Sequence, residues 1–159
     1  MNELLELLEK NSSYSTEQLA VMLNMTKDDI ESAIKKYKED GIIIAEKALI
    51  DWEKAGSQKV TAFIELKITP QYGLGFDKIA ERLYEYDEIK TIWLMSGAFD
   101  LALIIEGKTM KEVALFVAET LAPMEQVLST STSFVLKTYK DCGFVFKPQK
   151  KDERGFVSL

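Results

Sequence analysis

Met95-Ser96-Gly97-Ala98-Phe99-Asp100-Leu101 is the stretch on which the reading of the fold turns. It separates two apolar, β-prone runs, residues 89–95 and 101–106. Ser-Gly-Ala is turn chemistry, because Gly97 can take φ > 0 without steric cost. The stretch therefore reads as the tip of a β-hairpin. A tip of small residues with exposed backbone amides, closed by the Asp100 carboxylate, suits a small polar ligand. It equally suits an ordinary tight turn, and both readings stay open at this level.

Working outward, the periodicity on either side is that of a larger unit. Val60, Ala62, Ile64, Leu66 and Ile68 alternate with Thr61, Phe63, Glu65 and Lys67, the period of a strand, and Pro70 stops it. Gly73-Leu74-Gly75 then leads into a helix whose face is Phe76, Ile79, Ala80 and Leu83. Beyond the hairpin, residues 110–121 align Met110, Val113, Val117 and Leu121 as a second helix, followed by Pro123. Residues 127–138 give a fourth strand. The order β-α-β-β-α-β is the ferredoxin-like arrangement. Right-handed crossovers place both helices on one face of the sheet. The run Ile89-Lys90-Thr91-Ile92-Trp93-Leu94-Met95 is nevertheless apolar on both of its alternating sets, and Phe63 falls opposite Val60, Ala62 and Ile64. An uncovered face of that kind predicts a second copy packed against it, hence at least a homodimer. The tail, residues 141–159, reads either as an added edge strand or as a loose end.

The first third has a different period. Leu4, Leu5, Leu7 and Leu8 mark one helical face, and Asn11-Ser12-Ser13-Tyr14 breaks it. Ser15 or Thr16 can cap a second helix carrying Leu19, Ala20, Met22 and Leu23. Thr26 caps a third, with Asp28 and Asp29 in the first turn and Ile30, Ala33, Ile34 and Tyr37 as its stripe, and Gly41 ends it. Three short helices with a tight turn between the last two form a helix-turn-helix arrangement, although any small helical bundle shares the pattern. The β-prone runs around Glu46-Lys47, within residues 42–51, predict a hairpin wing. The expected organisation is a winged helix-turn-helix over residues 1–52, a linker over 53–59, a βαββαβ domain over 60–140 and a tail over 141–159, an α+β fold.

Composition removes whole classes of chemistry. The chain of 159 residues has no histidine and one cysteine, Cys142. Ser-His and Cys-His nucleophile pairs, most zinc sites and an intrachain disulfide are thereby excluded, and a reducing, cytoplasmic setting is expected. No phosphate-cradling Gly-Lys motif occurs, and no apolar run nears the ~18 residues of a membrane span. No cofactor and no metal are expected, and the protein is not read as an enzyme. An acyl-phosphate hydrolase on the ferredoxin-like domain would need an arginine at a phosphate loop, yet Arg82 and Arg154 are the only two arginines. The net charge is −6.

The order of motifs resembles the Lrp/AsnC family of feast/famine transcriptional regulators over nearly the full length. The resemblance rests on Leu19-Ala20, on Asp40-Gly41-Ile42-Ile43 at the end of the third helix and on Ala48-Leu49-Ile50-Asp51 after the wing. It rests also on Ser96-Gly97-Ala98-Phe99-Asp100-Leu101 and on Thr130-Ser131-Thr132 followed by Val135-Leu136-Lys137. It implies a DNA-binding winged helix-turn-helix joined to a RAM-type domain that dimerises, assembles into higher oligomers and senses amino acids at the interface between dimers. The family-matched ligand positions are Ser96, Gly97, Ala98, Phe99, Asp100, Thr130 and Thr132. Amides of Gly97 and Ala98 could take a carboxylate, Asp100 an ammonium, and threonine hydroxyls either role. Against this stand the local readings: β-propensity for the threonines and turn fixation for Asp100.

The third helix departs from the family, whose members usually carry arginines there; this one has Glu31-Ser32-Ala33-Ile34-Lys35-Lys36. Residues 1–52 hold six lysines against eleven acids, a balance of −5, and no arginine, the best bidentate reader of guanine. If double-stranded DNA is the partner, the expected contacts are Thr26, Lys27, Ser32, Lys35 and Lys36 on the third helix and Lys47 on the wing. The alternative is a sensor or assembly module whose acidic helix-turn-helix contacts protein.

Overall fold

The computed structural model describes residues 2–57, 59–69 and 75–147. The chain divides into two compact units, Met1–Leu49 and Ile50–Leu159.

The first unit is built from local signals that the chain carries in its helix ends. Helices α1 (Asn2–Lys10), α2 (Thr16–Leu23) and α3 (Lys27–Glu39) follow one another through short turns. Ser15 starts α2 with a reciprocal capping box: its hydroxyl accepts from the Gln18 amide, and the Gln18 side chain accepts from the Ser15 amide. Asn24, in the left-handed region at φ 51°, ends α2. Two residues later the Thr26 hydroxyl accepts from the Asp29 amide and donates to the Asp29 carboxylate. At the far end Gly41 takes φ +69°, and the amides of Gly41 and Ile42 donate back to the carbonyls of Lys38 and Tyr37. That is the Schellman closure, for which glycine is suited because it has no Cβ to clash. Leu4, Leu19, Ile30 and Tyr37 are buried together as the core of this unit.

The wing is not formed. Residues 44–50 contain no strand, and no backbone hydrogen bond pairs the two β-prone runs among the described residues. Ile44 is 92% exposed. Runs of three or four residues form a two-stranded hairpin too weak to persist without a third strand or a helix behind it. Glu46 instead forms an ion pair with Lys38 of α3 at 3.0 Å.

The second unit is a four-stranded antiparallel sheet in the order β2-β3-β1-β4, with β1 at Val60–Ile68, β2 at Ile89–Leu94, β3 at Leu101–Gly107 and β4 at Val127–Phe134. Helices α4 (Asp77–Leu83) and α5 (Met110–Phe116) lie in the crossovers. Ala62, Ile64, Leu66 and Ile68 of β1 are buried against Ile79 and Leu83 of α4 and Val113 of α5, so both helices share one face. The cross-strand register puts Phe63, Ile104 and Trp93 on the other face, beside Thr61, Glu65, Lys67 and the serines of β4. Neither helix covers that face.

Several boundaries differ from the sequence reading. The second helix changes to a π-helical turn over Val117–Leu121, where the Ala122 amide reaches back five residues to the Val117 carbonyl at 2.8 Å. Strand β4 stops at Phe134, because its partner β1 begins at Val60 and only the Val135 amide still finds an acceptor, Thr61. The tail is neither an edge strand of this sheet nor shapeless as far as 147: β5 (Lys140–Asp141) and β6 (Phe144–Val145) pair with each other around Cys142 and Gly143, both at positive φ. Pro70, Gly73 and Leu74, and the chain from 148 to 159, lie outside the described residues.

One glycine is held by packing. A Cβ at Gly107 would sit 2.9 Å from a methyl of buried Val113, whose branched side chain has little rotamer freedom. Gly107→Ala is expected to lower the unfolding free energy by about 1–3 kcal/mol through overpacking. Denaturant titration measures it, and an unchanged midpoint would mean that Val113 moves aside freely.

Candidate functional site

Two surfaces collect the residues singled out above. The first is the β2–β3 hairpin tip. Strand register fixes its foot: Leu94 pairs with Leu101, Leu101 with Leu66, and Leu66 with Thr130, one row across all four strands. The Met95 amide donates to the Asp100 carbonyl at 2.8 Å and closes the loop. Between them Ser96, Gly97 and Ala98 are exposed and Phe99 is half-buried. The amides of residues 96–99 donate to no acceptor among the described residues. Gly97 does not use its freedom: its φ is not positive, and a Cβ there would meet nothing within 4 Å. The turn therefore closes without the left-handed glycine that the sequence suggested.

Asp100 is the pin. Its amide donates to the Leu66 carbonyl at 2.9 Å, its Oδ2 accepts from the Ile68 amide at 2.8 Å, and its Oδ1 lies 3.1 Å from the Lys67 Nζ. The side chain is only 19% exposed. The Ile68 hydrogen bond holds its carboxyl below the usual carboxylate range; partial burial opposes this and the Lys67 ammonium adds to it. Asp100 thus bonds a backbone amide, as in the turn-fixing reading, but one on the neighbouring strand rather than in the tip itself. Lys67, 33 residues away in sequence, is a member of this constellation that sequence reasoning missed. Its only signal was a place in the outward set of β1, and the pairing depends on inter-strand register.

The threonines are divided. Thr130 lies opposite Leu66 and Thr132 opposite Ile64, so both project from edge strand β4 on the helix-bearing side. Thr130 is half-buried and comes to the same end of the sheet as Asp100, two strand spacings or about 10 Å from β3. Thr132 is exposed and one row further from the tip. An open groove of about 340 Å³ between α4 and β2, lined by Phe76, Ala80, Tyr84 and Ile92, shares Leu94 and Leu101 with the foot of the hairpin.

The second surface is the outward side of α3. Ser32, Lys35 and Lys36 are exposed on it. Thr26 is occupied as the N-cap. Lys27 pairs with Glu17 of α2 at 2.7 Å and lies 3.7 Å from Glu31; Lys35 lies 3.8 Å from Glu39. The hydrogen bond from Lys27 pulls Glu17 down to about 2 and raises Lys27 in return, so the pair is fully ionised at neutral pH. Lys36 and Lys47 are exposed without an ion-pair partner among the described residues. Because the wing is absent, Lys47 sits on an irregular segment rather than on a hairpin. No group of acidic, cysteine or histidine side chains suited to a metal ion occurs among the described residues, and none of the helices is long and apolar enough to cross a membrane.

Comparison with known proteins matches residues 61–143 to the Lrp/AsnC ligand binding domain. The HTH-type transcriptional regulator YugG of Bacillus subtilis is 41% identical over 157 residues, 98% of this chain and 95% of that one. The DNA-binding transcriptional activator DecR of Escherichia coli is 26% identical, covering 87% of this chain and 90% of its own. Among solved structures, the transcriptional regulator NMB0573 of Neisseria meningitidis, in complex with L-Met, superposes with a TM-score of 0.71 at 22% identity, covering 87% of this chain and 88% of its own. At that identity the likeness is one of fold.

The depressed Asp100 titration carries a stability consequence. A carboxyl whose folded pKa lies below its unfolded value stabilises the fold above the ordinary value, near 3.9, and loses that contribution as pH falls through the depressed one. The gap in melting temperature between the natural chain and Asp100→Asn should hold constant from about pH 8 to 5 and close below about pH 4. A gap that persists at the acid end would show that the carboxylate charge is not what pins the tip.

Proposed function

The chain belongs to the Lrp/AsnC family of transcriptional regulators, and from that premise we propose that it binds operator DNA as a symmetric oligomer under the control of a small-molecule effector, an amino acid. The observation that carries the reading is the hairpin tip. It is held at its foot by Asp100, yet presents four consecutive amides without acceptors among the described residues, a preformed cradle for a small polar ligand. Ser96–Asp100, with Thr130 and Thr132 of β4 two strands from β3, is the proposed effector site. L-Met in the related Neisseria structure supports an amino acid as the class.

In this reading residues 1–52 are a helix-turn-helix domain, 53–59 a linker, 60–140 the sensing and oligomerisation domain and 141–159 a tail. Helix α3 enters the major groove. Ser32, Lys35 and Lys36 on its exposed side face DNA, with Thr26 and Lys27 at its start and Lys47 near a phosphate. The uncovered sheet face, with Phe63, Trp93 and Ile104, is the homodimer surface, and dimers assemble further. The protein works in the cytoplasm, and the effector acts by changing how dimers are placed, hence the spacing of the α3 helices.

A specific observation favours a second reading. Lys27 and Lys35 are already paired with Glu17, Glu31 and Glu39, which lowers the cationic charge offered to phosphate. In that reading the acidic first domain contacts protein instead. DNA affinity separates the two. Lys35→Ala with Lys36→Ala should weaken binding to all sequences alike and flatten the slope of log affinity against log salt by about 2, roughly one for each phosphate no longer neutralised. An unchanged slope means that these lysines face solvent in the complex. Absence of binding by the natural chain at low salt favours the protein-contact reading.

A further inference from the structure

We propose that Lys67 anchors the carboxylate of the effector, and that Asp100 positions Lys67 rather than receiving the ligand's ammonium. The inference rests on the effector reading of the tip and names the chemical class that the site requires: a free carboxylic acid, with the amino group dispensable.

Two charged groups meet at the foot of the tip, Asp100 and Lys67 of β1, 3.1 Å apart, and they differ in what they have left to give. Asp100 is 19% exposed, and each of its oxygens already accepts an intrachain hydrogen bond, from the Ile68 amide and from Lys67. An arriving ammonium would have to share that carboxylate with the Lys67 ammonium, a like charge a few ångströms away. Lys67 is 42% exposed. Its ammonium has three donors, and the single acceptor it contacts among the described residues is Asp100 Oδ1, which leaves two for a ligand. The strand register adds the exposed Ser129 directly opposite Lys67, on the same face but at its tip end, one row beyond Trp93 and two beyond Phe63 and Ile104, at the rim of the proposed dimer surface. The remaining donors are the four amides of residues 96–99, which have no acceptor among the described residues. Charged donor capacity is therefore open beside Asp100, while the Asp100 carboxylate itself is already engaged. A carboxylate finds a charge-assisted partner there, whereas an ammonium finds neutral carbonyls and hydroxyls. The depressed titration of Asp100 agrees with its service as a fixed counter-charge that keeps the Lys67 side chain at the tip.

The test is isothermal titration calorimetry on the full-length protein with the twenty L-amino acids, followed, for each that binds, by its amide and its 2-oxo acid. The 2-oxo acid should bind within about fivefold of the amino acid, and the amide about 10- to 100-fold more weakly, the range of one lost charge-assisted hydrogen bond. Lys67→Met should bring the acid-to-amide ratio to about one, and Lys67→Arg should preserve most of it, which guards against a merely misfolded variant. Asp100→Asn should weaken acid and oxo acid together while leaving a preference for both over the amide. An amide that binds as well as the acid, or an amino acid preference over the oxo acid that Asp100→Asn abolishes, overturns the assignment and makes Asp100 the ammonium reader. If none of the twenty acids binds, the effector reading itself fails and this inference falls with it.

Discussion

The two-residue period of β1 is the constraint on which the second unit depends. Ala62, Ile64, Leu66 and Ile68 are each almost completely buried against the two helices, so a slip of one residue would expose all four and bury Glu65 and Lys67 without partners. Because β1 lies between β3 and β4, its register dictates theirs. The position of the tip follows: once Leu66 is opposite Leu101, Asp100 falls beside Lys67 and Ile68, where its carboxylate can bond both. The site is therefore set by the core. A loop with almost no packing of its own is positioned by apolar alternation on a strand about 30 positions away.

The same dependence explains what the sequence could and could not reveal. Helix ends were legible because their chemistry is local: a hydroxyl at Ser15 or Thr16, Thr26 before the third helix and Gly41 after Asp40 each act over three or four residues, and the structure gives the first cap to Ser15 with Gln18. The four strands were legible through alternation and composition. The wing was misread because β-propensity in residues 42–51 says nothing about whether a third element supports the pair. The π-helical turn at Val117–Leu121 leaves no mark on a pattern that continues the α-helical spacing of Val113, Val117 and Leu121. At the tip, the small residues and Asp100 stood out, yet the partner that defines their chemistry did not. Lys67 looks like any outward lysine on a half-exposed strand until the register brings it against Asp100. The split between Thr130 and Thr132 likewise depends on how far β4 runs towards the tip.

Electrostatics sets the tension in the proposed function. An arginine-free first domain with a surplus of acids is an unusual polyanion binder, and several of its lysines are engaged by neighbouring carboxylates. These pairs are exposed and so contribute little to stability. They are also weak enough to be exchanged for phosphate, so the cost to DNA affinity is modest for each lysine and adds over the surface. An oligomer that presents several copies of α3 restores affinity through effective concentration, provided that half-site spacing matches. On this account affinity for a single site is low, assembly is what makes binding strong, and an effector bound at the tip controls binding through assembly.

The most direct measurement is fluorescence anisotropy of the purified full-length protein with DNA from upstream of its own gene, at about 50 and 200 mM salt, with and without a mixture of the twenty L-amino acids. Binding should fall steeply with salt, and its midpoint should move when the amino acids are present. Binding absent even at the lower salt, or present with a midpoint indifferent to amino acids, would contradict effector-controlled DNA binding.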